Sequence, residues 1–232
     1  MLHWLLLMAS QLKRKSWKMS IQTEVDILIQ NYPDLASLQR EIEDAIAILV
    51  DGFKQGGKLL LCGNGGSSAD SDHIVGELAK GFRKRRPLSP DIINLLNDYN
   101  SDMGTFMGQR LQTGLPAINL GAHSALISAV SNDIAPDLVF AQQVLAYHQS
   151  EHDMLIGIST SGNSANVVYA CAVARALNMN TIGLSGASGG QMLDHCDVML
   201  CVPYTETASV QERHLPIYHV LCTVVENLLF TE

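Results

Sequence analysis

Short apolar runs alternate with longer amphipathic segments along most of the chain. The runs have the length of buried strands, and the segments between them repeat apolar residues at the period of a helix. This alternation is typical of βαβ units, in which parallel strands form one sheet that helices cover. The predicted strands are Lys58–Cys62, Ala117–Gly121, Met154–Ile158, Thr181–Ser185 and Val198–Val202.

The predicted helices fill the intervals around those strands. A long amphipathic helix, Leu35–Phe53, precedes the first strand, between a break at Pro33-Asp34 and the pair Gly56-Gly57. The whole pattern predicts an α/β fold, a doubly wound three-layer sandwich around a five-stranded parallel sheet. The other predicted helices are Ser68–Phe82, His123–Ser131, Asp137–Tyr147, Ser164–Leu177 and Ser209–Phe230.

Two stretches depart from this alternation. The polar insertion Leu88–Thr113 is expected to form two short helices. Residues 2–8 are apolar and precede Lys13-Arg14-Lys15, the reverse of a secretory signal and too short to span a bilayer. An exposed tail, a start codon placed before a true beginning at Met19, and a membrane-surface anchor are alternatives. We therefore expect residues 1–19 to lie outside one domain that spans residues 20–232.

Composition narrows the classes of function. The chain has 232 residues, 47% of them hydrophobic, with 15 Lys+Arg against 23 Asp+Glu and a formal charge of −8. This length can bury one core, while the acidic balance and 6% aromatic content argue against a nucleic-acid partner. No segment reaches transmembrane length, so we expect no membrane partner. Five cysteines without a C-x-x-C motif indicate buried thiols and a cytoplasmic protein.

Two loops between a predicted strand and the following helix carry polar groups. Ligands of open parallel sheets bind beyond the carboxyl ends of the strands, and helix N-termini with free N–H groups bind phosphate. The Gly-rich loop Gly63–Ser68 fits this role, but it equally fits a tight turn with an N-cap. The second loop holds four hydroxyl side chains, more than one N-cap requires: Ser159, Thr160, Ser161 and Ser164.

Two predicted helices carry candidate acid–base or metal-binding side chains. His73 and Glu77 are four residues apart and share a helix face, which suits a metal ligand pair, a general base, or a surface salt bridge. Gln211 and His219, eight apart, lie close to one face of the last helix, where His219 is also a candidate core histidine. Pro216 marks either the first turn of that helix or a kink within it.

Together these motifs closely resemble the sugar isomerase (SIS) domain of phosphoheptose isomerases. The resemblance covers nearly all of residues 35–230, except the insertion. It implies a flavodoxin-like SIS fold, a homotetramer with active sites between subunits, and interconversion of sedoheptulose 7-phosphate and D-glycero-D-manno-heptose 7-phosphate. The matching segments are Cys62–Ser67, His73–Glu77, Asn132-Asp133, Gly157–Ser164, Gln211-Glu212, His214 and His219.

The resemblance also assigns roles to individual residues. By resemblance, Glu77 and His219 form the catalytic pair, and Glu77 and Gln211 also contact substrate. A zinc ion, one per subunit, would be bound by His73, Glu77, Gln211 and His219, a chemically reasonable set of donors. The remaining implied contacts are Asn64, Gly65 and Gly66 to the sugar, Asn132 and Asp133 to its open chain, and Ser159, Thr160, Ser161 and Ser164 to its phosphate.

The residue types implied by the resemblance suit an aldose–ketose isomerisation. One group must move a proton between neighbouring carbons through an enediol, and another must exchange protons with the two oxygens. A carboxylate such as Glu77 suits the first task and an imidazole such as His219 the second. The reaction needs no redox cofactor.

Two other functions remain open at this point. The first is an isomerase or sensing module for a different phosphosugar, because a phosphate-binding loop says little about sugar length. The second is a binding adapter, like a relative of these isomerases that associates with the replication initiator. An adapter of that kind is expected to lack the catalytic carboxylate and histidine, whereas Glu77 and His219 are both present here.

The insertion Leu88–Thr113 has two interpretations. It either reshapes the substrate opening or the subunit interface, or is a surface elaboration without a chemical role. The basic cluster Lys80–Arg86 is interpreted as a solvated helix end.

Overall fold

A computed structural model describes residues 21–230 of the chain. The predictions for the apolar and basic segment at residues 1–18 lie outside these residues. Within the described range, no helix combines the length and the apolar character that crossing a membrane requires.

Five strands form one parallel sheet in the described residues. They are β1 (Leu59–Gly63), β2 (Ala117–Asn119), β3 (Met154–Ile158), β4 (Asn180–Ser185) and β5 (Val198–Cys201), in the spatial order β2-β1-β3-β4-β5. Every residue of β1 and β3 is buried, which explains why both strands are apolar on both faces. The order confirms the predicted doubly wound sheet and places its topological switch point between β1 and β3.

Helices flank the sheet on both sides. One layer contains α2, α3 and α9, and the other contains α6, α7 and α8. Successive residues of β1 alternate between the two cores, since Leu59 and Leu61 pack in the first whereas Leu60 and Cys62 pack in the second. The helices are α1 (residues 21–31), α2 (Gln39–Lys54), α3 (Gly66–Ala79), α4 (Pro90–Tyr99), α5 (Ser101–Arg110), α6 (Ser124–Asp133), α7 (Val139–Tyr147), α8 (Ala165–Ala176) and α9 (Thr207–Leu229).

Several predicted boundaries differ from the structure by a few residues, and three of these differences have an identifiable cause. The predicted helix Leu35–Phe53 does not begin at Leu35, because Pro33–Leu38 is a 3-10 helix that leads into α2. β2 ends at Asn119, whose side-chain Oδ1 accepts the N–H of Gly121 at 2.8 Å and turns the chain. α3 ends at Ala79 rather than Phe82, because the N–H of Phe82 donates to the carboxylate of Glu226 at 2.8 Å.

α9 resolves the alternatives for Pro216. The helix runs from Thr207 to Leu229 with Pro216 inside it, so Gln211 lies within the helix rather than in a lead-in segment. Gln211 and His219 therefore belong to one continuous element, about two turns apart.

A buried ion pair fastens the loop after α3 to α9. Both side chains of the pair Arg86–Glu226 are fully buried, with Arg86 Nε 2.8 Å from Glu226 Oε1. The Glu226 carboxylate also accepts the backbone N–H groups of Phe82, Arg83 and Lys84 at 2.8–3.0 Å. Burial alone would raise the pKa of Glu226, but these donors hold it below its ordinary value.

The insertion forms two short helices, as predicted. α4 begins at the N-cap Ser89, and α5 begins at the N-cap Asn100 directly after α4 ends. None of the residues of α4 is buried. The two helices therefore form a hairpin, the inserted hairpin, that stands outside the three layers.

Candidate functional site

The Gly-rich loop and the Ser/Thr-rich loop meet at the switch point of the sheet. Asn64 follows β1, and Asn166 lies in the first turn of α8, after β3. Their side-chain amides exchange two hydrogen bonds, Asn64 Nδ2 to Asn166 Oδ1 at 2.9 Å and Asn166 Nδ2 to Asn64 Oδ1 at 3.0 Å. The sheet topology and this amide pair thus bring the two predicted ligand loops together.

The Gly-rich loop has a backbone that favours glycine. Gly65 has a φ of 55°, in the region that L side chains rarely adopt. A Cβ on Gly66 would collide with the side-chain amide of Gln211. A cleft of about 330 Å³ opens beside the loop and is lined by residues that include Asn64, Gly65 and Ser131.

The Ser/Thr-rich loop is a hydroxyl-bearing turn at the N-terminus of α8. Ser159 is buried, and its Oγ lies 2.9 Å from the Oγ of Ser164. Gly162 has a φ of 67°, and its N–H donates to the Ser159 carbonyl at 2.9 Å. Ser161 is exposed at the tip of the turn. Hydroxyls at the positive end of a helix dipole suit an anionic group such as phosphate.

His73, Glu77 and His219 form a second cluster, between α3 and α9. His73 Nε2 lies 3.2 Å from Glu77 Oε1 and 3.4 Å from His219 Nε2. The rings of His73 and His219 meet edge to face with centroids 5.0 Å apart. Helical spacing places His73 beside Glu77, but only the packing of α9 against α3 brings His219 to them.

Tyr218 and Asp70 orient the imidazole of His73. The Tyr218 hydroxyl donates to Asp70 Oδ1 at 3.2 Å, so its oxygen accepts the Nδ1–H of His73 at 3.1 Å. Burial raises the pKa of Tyr218 and keeps this hydroxyl protonated, and burial also raises the pKa of Asp70. This arrangement directs His73 Nε2 toward Glu77 and His219.

His219 remains accessible on one side. It lines a cleft of about 270 Å³ together with residues that include Tyr32 and Arg83. Burial, followed by the nearby His73, lowers the pKa of His219 below its ordinary value. His219 is therefore neutral near pH 7, a state in which an imidazole can donate a proton from one nitrogen and accept one at the other.

Three residues implied by the resemblance lie apart from the cluster around His73. Gln211 is turned toward Gly66, seven residues or about 10 Å along α3 before His73. Asn132 and Asp133 are exposed in the last turn of α6, where the Asn132 amide donates to Asp133 at 2.8 Å. Their neighbour Ser131, not these two residues, is among those that line the cleft beside the Gly-rich loop.

The donors around His73 fit a metal ion only in part. In a tetrahedral zinc site with bonds of about 2.0–2.1 Å, neighbouring ligand atoms are about 3.3 Å apart, close to the 3.2 and 3.4 Å separations from His73 Nε2. The lone pair of His73 and the Glu77 carboxylate are both acceptors, so a cation between them would satisfy both. Against this, no group of three or more His, Cys, Asp and Glu side chains in residues 21–230 is arranged as a metal site, and Gln211 points elsewhere.

The two groups of site residues lie far apart within one chain. The ligand loops adjoin Gly66 at the start of α3, whereas Glu77 lies eleven residues later near its end. This separation is about 16 Å along the helix axis, whereas an extended seven-carbon phosphate ester is about 10 Å long, at roughly 1.2 Å per bond. The segment of α3 between the Gly-rich loop and the backbone of Glu77 is therefore longer than such a substrate.

Several side chains that shape the site were missed in the sequence. Asp70 stands three residues before His73 on the same helix face, and Tyr218 directly precedes His219, so local spacing contained a signal for both. Arg86 and Glu226 are 140 residues apart, and no local pattern connects them. Arg86 donates to the backbone carbonyls of Leu78 at 2.8 Å and Glu77 at 3.2 Å, and so fixes the end of α3.

Comparisons with known proteins identify the domain. A family model described as SIS domain matches residues 33–110 and 101–186. The chain is 44% identical over 184 residues to a phosphoheptose isomerase of Roseiflexus sp. (strain RS-1), covering 79% of this chain and 80% of that relative.

Solved structures agree as well. A phosphoheptose isomerase from Francisella tularensis superimposes with a TM-score of 0.69 at 29% identity, covering 94% of this chain and 98% of that one. Phosphoheptose isomerase GmhA from Neisseria gonorrhoeae gives a TM-score of 0.65 at 28% identity, covering 96% and 99%.

Proposed function

Because the chain belongs to the phosphoheptose isomerase family of SIS-domain proteins, we propose that it interconverts sedoheptulose 7-phosphate and D-glycero-D-manno-heptose 7-phosphate. It is an isomerase that acts on phosphosugars. The observation that carries the specific proposal is the contact of Glu77 and His219 with the same atom, Nε2 of His73. These contacts hold one carboxylate and one neutral imidazole together, the two groups that an enediol route requires.

In the proposed reaction, Glu77 moves the carbon-bound proton. Its carboxylate removes a proton from C1 of the ketose while His219 donates a proton to the C2 carbonyl oxygen, which gives a neutral enediol. Glu77 then returns the proton to C2, and His219 takes the proton from the C1 hydroxyl, which becomes the aldehyde. Every proton taken is returned, so the pair ends each cycle in its starting state.

The phosphate would be held away from the reacting carbons. The hydroxyls of the Ser/Thr-rich loop and the N–H groups at the start of α8 are proposed to bind it, while Asn64, Gly65 and Gly66 line the sugar. Asn132 and Asp133 are proposed to contact the open chain, a role that requires them to exchange their mutual hydrogen bond for the substrate. Binding energy from the phosphate then positions C1 and C2 for proton transfer.

We propose that such a site is completed between subunits of a homotetramer. The separation of about 16 Å along α3 supports this, because the segment between the Gly-rich loop and the backbone of Glu77 is longer than one substrate. The five cysteines are free, and four of them are buried, which supports the proposed cytoplasmic location.

Zinc is a further part of the proposal. His73, Glu77 and His219 would hold the ion, whereas the implied fourth ligand, Gln211, contacts Gly66 about 10 Å away along α3 and would not complete the set in this arrangement. When bound, zinc supplies a Lewis acid that polarises the sugar oxygens. Tyr218 and Asp70 would support it by keeping the lone pair of His73 directed at the ion.

The proposed function is tested with the sugar itself. Purified protein is incubated with sedoheptulose 7-phosphate in deuterated water, and the sugar is followed by NMR. An aldoheptose phosphate is the expected product, with deuterium at C2 to the extent that the protonated Glu77 exchanges with solvent before it returns the proton. If only a shorter ketose phosphate reacts, the protein is an isomerase of another phosphosugar; if none reacts, the catalytic proposal is wrong.

The phosphate assignment predicts a binding defect. The variant Ser161→Ala/Ser164→Ala should raise KM at least about tenfold, because hydrogen bonds to a charged group contribute about 1.5–3 kcal/mol each. The effect on kcat should be smaller. Steady-state kinetics measures both constants, with Ser37→Ala, an exposed hydroxyl in the 3-10 helix before α2, as the control. A parental KM would remove the phosphate role from this loop.

The zinc assignment predicts a measurable metal content. Purified protein should contain about one zinc per chain, and His73→Ala should lower that content, whereas His123→Ala on the opposite layer should not. Elemental analysis gives the occupancy, and treatment with a chelator should reduce turnover. Full activity of metal-free protein would show that zinc has no role in the reaction.

A further inference from the structure

The inserted hairpin uses one face of each helix for its own packing. A Cβ on Gly104 would collide with the backbone of Asn97, and a Cβ on Gly108 would touch the side chain of Ile93. These pairs run in opposite order along the two helices, so α4 and α5 are antiparallel. The inner face of the hairpin is therefore already occupied.

A second set of apolar side chains lies on the outside of the inserted hairpin. In α4 they follow i, i+3, i+7 spacing, and α5 repeats this spacing with an arginine at its last position. At 100° per residue they lie about 120° around each helix from the centre of the inner face, which comprises the buried and half-buried positions 93, 96 and 97 in α4 and 104, 107 and 108 in α5. This outer apolar stripe consists of Ile92 (46% exposed), Leu95 (68%), Tyr99 (84%), Met103 (55%) and Phe106 (58%).

The two halves of the outer apolar stripe lie on the same side of the hairpin. In both helices the apolar set is rotated from the inner face by the same angle and in the same sense along the chain. Because the helices are antiparallel, this rotation turns both sets toward the same side of the hairpin. Five side chains of this size with these exposed fractions present about 600 Å². That area reaches the upper end of what a typical monomer exposes in one patch, and with its charged edges approaches the ~800 Å² per partner of a stable interface.

Charge is distributed unevenly along the inserted hairpin. Asp98 and Asp102 flank its tip, whereas Arg110 and Arg85 lie at its base together with one acid of the hairpin, Asp91, and Arg85 donates to the Gln109 carbonyl. Arg83 and Lys84 add positive charge next to Arg85. Tip and base are separated by about 15 Å, the length of a ten-residue helix. An antiparallel copy of the same hairpin would therefore place each acidic tip on the other copy's basic base.

We propose that the outer apolar stripe is an interface between two copies of this chain. The two inserted hairpins pack antiparallel about a twofold axis and form a four-helix bundle, which covers both stripes. A second copy satisfies the apolar face and both charged ends at once, because the surface is complementary to itself. None of its residues lies in the ligand loops or in the cluster around His73, so substitutions in the stripe leave the side chains proposed for the reaction in place.

Sedimentation velocity over a concentration series tests the interface. Leu95→Glu/Phe106→Glu should lower the oligomeric mass or weaken its formation at least about 100-fold, because charges replace two central apolar contacts. The control Asn94→Glu adds one negative charge to the polar side of α4 and should keep the parental mass. Both positions of the double variant are exposed, so the fold is retained. A parental mass for the double variant at every concentration would overturn the interface.

Charge reversal tests the antiparallel arrangement. Asp98→Arg/Asp102→Arg and Arg85→Glu/Arg110→Glu should each weaken association alone, because like charges then face each other. Mixed in equal amounts, the two variants should associate again, since tip and base are complementary in the mixed pair. Parental association of both separate variants, or a mixture that stays apart, would overturn the antiparallel bundle.

Discussion

Glu77→Gln should lower kcat by about 10²–10⁴-fold, the range that a positioned acid–base group contributes. Glutamine keeps the volume of the side chain but does not accept the carbon-bound proton. Initial-rate assays of aldoheptose phosphate formation give kcat, and far-UV circular dichroism checks the fold. Asp44→Asn, which also neutralises an acid on an exposed helix face, is the matched control and should keep the parental rate.

The same mechanism predicts non-additive effects at His219. His219→Ala should cause a loss of the same order, and Glu77→Gln/His219→Ala should be little worse than either single variant, because the two groups act in one proton-transfer sequence. A single variant with a near-parental rate would remove its residue from the mechanism. Multiplying losses in the double variant would show that the two groups act in separate steps.

Loss of the Glu226 carboxylate should destabilise the fold more than loss of its arginine partner. Glu226→Leu removes the carboxylate that pairs with the buried guanidinium of Arg86. It also removes the acceptor for the N–H groups of Phe82, Arg83 and Lys84. Breaking a buried pair reduces the free energy of unfolding by about 3–5 kcal/mol, and each further unpaired group adds about 1–3 kcal/mol. Arg86→Met leaves Glu226 with three backbone donors and should therefore be milder by at least about 1 kcal/mol. Urea unfolding of both variants measures the difference.

The pH dependence of unfolding gives an independent measure of the same contact. Because the folded pKa of Glu226 is lowered, its contribution is fully present above the ordinary glutamate pKa and is lost as pH falls through the folded value. The parental protein should therefore lose this part of its stability on acidification below that range, and Glu226→Leu should lose less. Equal stability of Glu226→Leu and Arg86→Met would contradict the role of the carboxylate as acceptor for the loop.

The polar composition of the two ligand loops and the type of each element could be predicted, because both depend on residues that are close together in the sequence. β3 needs an apolar run, and the Ser/Thr-rich loop needs hydroxyls before a helix, so short windows contain the signal. Boundaries failed where a distant group competed with the local pattern. The helical period continues to Phe82, yet α3 ends at Ala79 because the carboxylate of Glu226 takes the N–H groups that follow.

The sequence by itself determined the order of strands and helices along the chain, the position of the two ligand loops in that order, and the family that the chain resembles. Only the tertiary structure decided which distant side chains meet. It brings His219 within 3.4 Å of His73 and pairs Arg86 with Glu226. It also turns one apolar set of the inserted hairpin outward, because a helix period marks apolar faces without saying what covers them. Contacts between residues far apart in the chain follow from how whole elements pack, and no local window of sequence contains that information.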